Sequence, residues 1–237
     1  MIQTMRENKT KEIRRTLRND LAGLRVRESE GDAPSRTITG YAILFDTPSE
    51  PLWSDDESEA REVIAPEAVT KELLDGSDIK FTMYHDRQIL LGRSNRGSGT
   101  LEYFIDEKGV GFILELPNSP NGDEALELVS RGDISGCSFA FSTQYYNRDF
   151  VDRESKSVGG RVEITYRVKA ITGVYDFTLA ADPAYPATSV EARELRELER
   201  SEHSENSENS ESSEPSSKEL LREQVREMRR AASQKLI

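Results

Sequence analysis

The stretch from residue 131 to residue 146 reads RGDISGCSFAFSTQYY and shows the pattern that decides the fold class. It leaves a charged helical segment at Arg131, turns through Gly132 and Gly136, and enters the strand-like run FAFST. The same texture, short apolar or alternating runs broken by Gly, Pro, Asn and Asp, extends outward over about residues 21–190. The chain is therefore predicted to be rich in short strands.

Eight such runs are predicted to be strands, with two helices between them. The strands span residues 22–27, 37–45, 79–84, 100–105, 110–116, 138–146, 163–171 and 175–180. One helix is predicted over residues 65–76, where Pro66 suits a first turn and Gly76 a stop. The other covers residues 121–131, with acids in its first turn and Arg131 in its last. This mixture predicts an α+β domain built around a barrel or a strongly bent antiparallel sheet.

The N-terminal residues differ in composition from this domain. Residues 1–20 are polar and mixed in charge, with Ile13 and Leu17 as a weak helical stripe. They are interpreted as a frayed arm or a short helix. Residues 21–193 are interpreted as the folded domain.

The composition changes again after residue 193. In residues 194–217 a glutamate recurs at every third position from Glu202 to Glu214, between Ser and Asn, and no helix or strand buries a face at that period. This segment is predicted to be a disordered linker. Residues 218–237 are predicted to form a short amphipathic helix, which needs a docking partner for stability. Its apolar face carries Leu221, Val225 and Met228.

Composition and charge exclude several classes of function. The 237-residue chain has a formal net charge of −12, whereas a generic phosphate-backbone binder needs a basic face. No run approaches the roughly 20 apolar residues that span a bilayer, and the start lacks a signal-peptide stretch, so we expect a cytosolic protein without a membrane partner. The single Cys137 and the two histidines, His85 and His203, leave no disulfide, Cys-rich zinc cluster or three-His zinc site. We expect no metal or cofactor.

Two segments contain residues suited to catalysis. His85 lies in FTMYHDRQILLG at the end of an apolar strand and before a polar turn at Asp86–Arg87, where it could reach a cleft. A half-buried structural histidine is the alternative. Ser138 follows a glycine turn whose backbone N–H groups could approach a ligand. The alternative is a tight turn with an incidental serine, and the motif is not a Gly-x-Ser-x-Gly elbow.

Two further residues bear on the same chemistry. Asp176 lies within an apolar strand, which is costly unless the carboxylate has a partner such as a histidine; a solvent-facing Asp is the alternative. Cys137 is a competing nucleophile. Strand alternation places it on the face opposite Ser138, and the favoured interpretation is a small buried hydrophobe.

Six blocks of the sequence, taken together, resemble the phage prohead (procapsid) maturation proteases of the HK97-like family. They occur in the family's order and at about its spacing, over roughly residues 37–190. The blocks are ITGYAILFDT, REVIAPEAVTKELL, MYHDRQILLGR, GVGFILELPN, SRGDISGCSFAF and VYDFTLAADPAYPATSV.

The resemblance implies a serine endopeptidase that works inside the immature phage procapsid, in the host cytoplasm. Its partners would be the major capsid protein and its scaffolding segment, and it would also cut itself. The implied fold is similar to the herpesvirus assemblin proteases, a bent antiparallel β-barrel with a few surrounding helices. Self-association is left open by analogy with those relatives, and no nucleic-acid partner is expected.

The resemblance also implies which residues act. The family's histidine falls on His85 and its serine on Ser138. Its acidic residue falls on Asp176, where this chain reads Asp-Phe-Thr and family members often have Glu in an EVS-like triplet. Backbone N–H groups near Ser138, or an arginine such as Arg87 or Arg93, could hold the oxyanion.

Three alternatives remain open from the sequence. The chain could be a catalytically inactive capsid-assembly or scaffold-binding module of the same fold. It could be a cysteine peptidase that uses Cys137. The terminal helix could recruit the protein to scaffold or capsid helices, or the tail could be dispensable or removed by self-cleavage.

Overall fold

The computed structural model describes residues 12–16, 22–28, 35–181 and Arg196. All of these except Arg196 belong to one compact unit, Met1–Arg193, and the fold below is that of its described part. Apart from Arg196, the predicted linker (194–217) and terminal helix (218–237) lie outside the described residues.

Short strands make up most of this part of the chain. They are β1 (Ile13–Thr16), β2 (Arg25–Val26), β3 (Thr37–Leu44), β4 (Trp53–Ser54), β5 (Ser58–Ile64), β6 (Asp78–Met83), β7 (Asp86–Asn95), β8 (Ser98–Gly99), β9 (Leu101–Ile105), β10 (Gly109–Glu115), β11 (Gly136–Ser142), β12 (Val151–Val158), β13 (Arg161–Val168) and β14 (Gly173–Ala180). The helices are α1 (Lys71–Gly76), α2 (Pro120–Arg131) and a 3₁₀ turn at Pro66–Ala68.

The described strands form three sheets. The first has the order β1-β11-β14-β6-β7-β8 and is antiparallel except between β14 and β6. The second is β2-β3-β10-β9, and the third is β12-β13-β5-β4 with β13 parallel to β5. Within the described residues none of the sheets closes into a barrel, so the bent-barrel architecture stays a prediction.

The core between the first two sheets positions the strands that carry the site. Phe81 on β6 packs against Phe112 on β10, with ring centroids 4.7 Å apart. Gly92 on β7 allows a close approach, since a Cβ there would lie 2.4 Å from a methyl carbon of Leu114. Every residue of β11 is buried. Burial of this apolar surface is the main free-energy gain that holds the two sheets together.

The N-terminal interpretation was wrong where the structure describes it. Residues 13–16 form a strand, β1, and not a frayed arm or a short helix. Ile13 and Arg15 are buried while Arg14 is exposed, which is the two-residue period of a strand. The strand forms because the edge of β11 supplies its backbone partners, a tertiary contact that local sequence does not encode.

One predicted helix is divided and the other is confirmed. Over residues 65–76, Val69 and Thr70 are extended, and the Thr70 side chain caps α1 by accepting from the Leu73 N–H. Helix α2 begins one residue earlier than predicted, behind the N-cap Ser119. It ends at Gly132, whose φ of +79° suits glycine best.

Three longer strands, β5, β7 and β12, were not among the eight predicted. Each contains charged residues that interrupt the apolar pattern. The clearest case is Glu62, which is buried in the middle of sheet three although glutamate is depleted in strands.

Candidate active site

His85 lies in a tight turn rather than at the end of a strand. Tyr84 and His85 join β6 to β7, and their φ values are +55° and +58°. Positive φ at both central residues matches the right-handed twist of a two-residue hairpin, but it is uncommon outside Gly, Asn, Asp and His, so Tyr84 is the more unusual of the two. The polar turn predicted at Asp86–Arg87 is therefore wrong, because β7 begins at Asp86.

Strand β14 holds this turn in place. The Tyr84 N–H donates to the Leu179 carbonyl at 3.0 Å, and the His85 N–H donates to Thr178 Oγ1 at 3.0 Å. The Thr82 hydroxyl also contacts Thr178 Oγ1, at 2.9 Å. These bonds offset the strain of the two left-handed residues.

Asp176 is the buried carboxylate that faces the imidazole. It lies on β14, two residues before Thr178, and its Oδ1 is 2.8 Å from His85 Nδ1. Its side chain is 1% exposed. Its Oδ2 is buried and has no hydrogen-bond partner among the residues that the structure describes. The histidine is thus the partner that the sequence argument required for a carboxylate in an apolar strand.

Ser138 completes a hydrogen-bonded chain of three side chains. It lies on β11 directly opposite Thr178 of β14, and its Oγ is 2.8 Å from His85 Nε2. With Nδ1–H donating to Asp176, Nε2 presents a lone pair to the serine hydroxyl. At this distance an imidazole can take a proton from a hydroxyl nucleophile once the hydroxyl hydrogen, which is donated to the Arg15 carbonyl oxygen, turns to Nε2.

Cys137 is poorly suited to be the nucleophile. It is fully buried, and burial raises the pKa of its thiol to about 12. The reactive species of a cysteine is the thiolate, which is scarce at neutral pH when the pKa is that high. The structure thus agrees with the interpretation of Cys137 as a small buried hydrophobe.

The two arginines suggested for the oxyanion have other partners. Arg93 forms a bidentate ion pair with Asp78 at 2.6 and 2.7 Å, and the pKa of Asp78 is held well below its usual range by hydrogen bonds from Arg93 and then Lys80. Asp78 begins β6, so this pair lies about 16 Å along the strand from Met83, next to the turn that carries His85. Arg87 bonds Glu12 at 2.6 Å, beside β1.

No sequence pattern predicts that strand β1 covers Ser138. Ser138 is fully buried, and its hydroxyl donates to the carbonyl oxygen of Arg15 in β1 at 2.7 Å. The Arg15 side chain is itself buried and forms an ion pair with Glu62. Neither Arg15 nor Glu62 is apolar or part of a recognisable motif. In a sequence, a buried pair of charged residues cannot be distinguished from charged residues on the surface.

Comparison with models of known protein families finds a match over most of the chain. A family model described as caudovirus prohead serine protease matches residues 22–204, which include His85, Ser138 and Asp176. No curated protein and no solved structure matches the chain. Among the described residues, no helix has both the length and the apolar character of a membrane span.

Proposed function

We propose, since the chain belongs to the caudovirus prohead serine protease family, that it is a serine endopeptidase that cleaves the phage major capsid protein and its scaffolding segment. The family gives the chain a prohead protease role and a place within the phage procapsid, beside capsid proteins. The observation that supports the catalytic assignment is the chain of two 2.8 Å contacts from Ser138 Oγ through His85 to Asp176.

The proposed reaction uses these three side chains in turn. Ser138 Oγ attacks the scissile carbonyl carbon while His85 Nε2 takes its proton. The imidazolium then gives that proton to the leaving amine as the C–N bond breaks. A water molecule, deprotonated by His85 in the same way, hydrolyses the acyl-serine ester and restores the hydroxyl.

The role proposed for Asp176 follows from its burial. A carboxylate that accepts from Nδ1–H fixes the tautomer in which Nε2 is the base, and its charge stabilises the imidazolium. Since Asp176 is shielded from water, its interaction with the imidazolium is stronger than that of an exposed pair.

Replacement of the nucleophile tests this function. In Ser138→Ala we expect kcat on the cognate capsid protein to fall on the order of 10⁶-fold, to background. The control is Ser142→Ala on the same strand, whose hydroxyl bonds Thr172 and Tyr175 away from the imidazole. Intact mass of the capsid protein after coexpression is the measurement.

Two results would contradict the proposal. Equal cleavage by wild type and Ser138→Ala would remove the serine from the mechanism. An uncut capsid protein with both, together with normal shell assembly, would favour the inactive assembly module.

A further inference from the structure

Strand β1 occupies the edge of the strand that carries the nucleophile. It pairs antiparallel with β11, with Ile13 opposite Phe141, Arg15 opposite Phe139 and Thr16 opposite Ser138. An extended peptide that adds a strand to an open sheet edge is a common mode of peptide recognition. The N-terminal segment therefore lies in its own protein as a bound peptide would.

One carbonyl of this strand lies against the nucleophile. The Ser138 hydroxyl donates to the Arg15 carbonyl oxygen at 2.7 Å, and its Oγ is 2.8 Å from His85 Nε2. The hydroxyl thus lies between the base that would take its proton and a peptide group of β1. The peptide bond presented in this way is the one between Arg15 and Thr16, with its carbonyl oxygen toward Ser138 Oγ. Attack on the carbonyl carbon therefore requires this oxygen to turn away from the serine.

A buried acidic pocket receives the Arg15 side chain. The guanidinium bonds Glu62 through Nε–Oε1 at 2.9 Å and Nη2–Oε2 at 3.2 Å, and the two side chains are 4% and 1% exposed. Nη2 also donates to the Tyr145 hydroxyl at 2.8 Å, and that hydroxyl donates to Glu62 Oε2. Burial raises the pKa of Tyr145 well above its usual value, so the phenol is a neutral donor.

This pocket discriminates by charge. A neutral side chain in place of Arg15 would leave the Glu62 carboxylate buried without its cation, and an acidic one would add repulsion. Arg14 differs, because it is half exposed and its ion-pair partner within the described part of the chain is Glu12, at 3.3 Å. Of the two adjacent arginines, the one before the presented bond is the one held by a buried charge.

We propose that Glu62 and Tyr145 form the pocket that selects a basic residue before the scissile bond, and that β1 is the enzyme's own substrate, cut between Arg15 and Thr16. This inference rests on the proposed function. The Ser138 hydroxyl turns from the Arg15 carbonyl oxygen to His85 Nε2 and gives its proton there as Oγ bonds to the Arg15 carbonyl carbon. The Arg15–Thr16 bond then breaks, and Thr16 leaves as an amine with that proton from His85. Water then releases the Arg15 carboxylate, so the products are residues 1–15 and a chain that begins at Thr16.

The first test follows the full-length chain over time by intact mass and N-terminal sequencing. We expect wild type to gain an N-terminus at Thr16, and Ser138→Ala to stay whole. Arg15→Gln should slow this cut by about 100-fold or more, because the buried polar pocket loses its partner, while Arg15→Lys should retain part of the rate. Arg14→Gln is the matched control and should cut like wild type.

The second test determines whether the Glu62 carboxylate itself selects for the positive charge of residue 15. Placed in both the wild-type and the Arg15→Gln chains, Glu62→Gln should reduce the ratio of their cleavage rates by about tenfold or more, since the unpaired buried charge is gone. Glu59→Gln, the same change on the same strand, should leave that ratio unchanged. A purely structural ion pair would alter stability in all these chains without altering the ratio.

A third arm does not depend on any variant folding. Full-length wild type is incubated with the peptide KEIRRTLRND, residues 11–20 of the chain, and with the same peptide carrying the Arg15→Gln substitution. We expect release of KEIRR from the first and about 100-fold slower cleavage of the second.

The outcomes separate the two proposals. Two results would reject the specificity pocket and keep the proposed protease function, provided that capsid protein is still cleaved in a Ser138-dependent way. In the first, the Arg15–Thr16 bond stays intact. In the second, the wild-type and Arg15→Gln chains are cut at equal rates. No Ser138-dependent cleavage of any substrate overturns the protease as well.

Discussion

His85 is held in a backbone conformation that few residues other than glycine adopt. Its φ of +58° is stabilised by bonds from the turn to β14, and its ring is fixed between Asp176 and Ser138. A side chain constrained from both the backbone and the ring keeps its orientation before substrate arrives. A small displacement of a catalytic group lowers the reaction rate, so the benefit of this preorganisation outweighs the local backbone strain.

Asp176 gives a test at the scale of one residue. Asp176→Asn should lower kcat by about 10⁴-fold, because an amide donates to the imidazole and imposes the wrong tautomer. Asp176→Glu keeps the carboxylate on a longer arm and should retain more activity than Asn. Cleavage rates beside thermal unfolding curves are the measurement, and an Asn variant as fast as wild type contradicts the assigned role.

The candidate catalytic residues and strand β1, which covers Ser138, differ in how far the sequence predicted them. Ser138 and Asp176 became candidates because each departs from its surroundings, one after a glycine turn and one inside an apolar strand, and the family resemblance then implied their roles. The turn at His85 was misplaced because a Tyr-His pair is not a typical hairpin-turn sequence, and the contacts that hold it come from Thr178 and Leu179, far along the chain.

Helix α2 shows, at the scale of an element, how local signals can suffice. Its acidic first turn, its final Arg131 and the stop at Gly132 predicted nearly its observed bounds. Strand β5 shows the opposite. Its buried Glu62 forms an ion pair with Arg15, 47 residues earlier, and no local sequence pattern predicts such a pair.

The N-cap of α2 can be tested with two serines, one at the cap and one within the helix. Ser119→Ala removes the side chain that accepts from the Gly122 N–H and should cost about 1 kcal/mol of unfolding free energy. Ser130→Ala, at an exposed position of the helix, should be neutral or stabilising by up to about 0.5 kcal/mol. Urea unfolding gives both values, and equal effects would contradict the cap.

The reactivity of Cys137 measures unfolding of the whole domain, because its thiol is buried in the first sheet. Alkylation of the native chain at neutral pH should be about 10³-fold or more slower than in the urea-unfolded chain, since exposure needs extensive unfolding. Mass spectrometry after timed iodoacetamide treatment measures this. Fast native labelling that abolishes cleavage would instead restore the cysteine-peptidase alternative.

The same thiol makes stability depend on pH in a definite direction. Burial raises the pKa of Cys137 to about 12 in the folded chain, whereas an unfolded cysteine has a pKa of about 8.5. Its contribution to stability is therefore complete below the unfolded pKa and is lost as pH rises from there toward the folded pKa. The urea midpoint should fall less between pH 8 and pH 10 for Cys137→Ala than for wild type.

The short distance in sequence between β1 and the rest of the domain affects when the enzyme would begin to cut other proteins. Only five residues separate Thr16 from Ala22, so while the Arg15–Thr16 bond is intact the N-terminal strand competes for the cleft as a linked ligand, at an effective concentration of roughly millimolar. Dilute proteins that meet the newly made enzyme would lose that competition. If the enzyme cuts the Arg15–Thr16 bond as proposed, the linked competitor is lost, so self-cleavage would set the time at which the enzyme begins to act on other proteins.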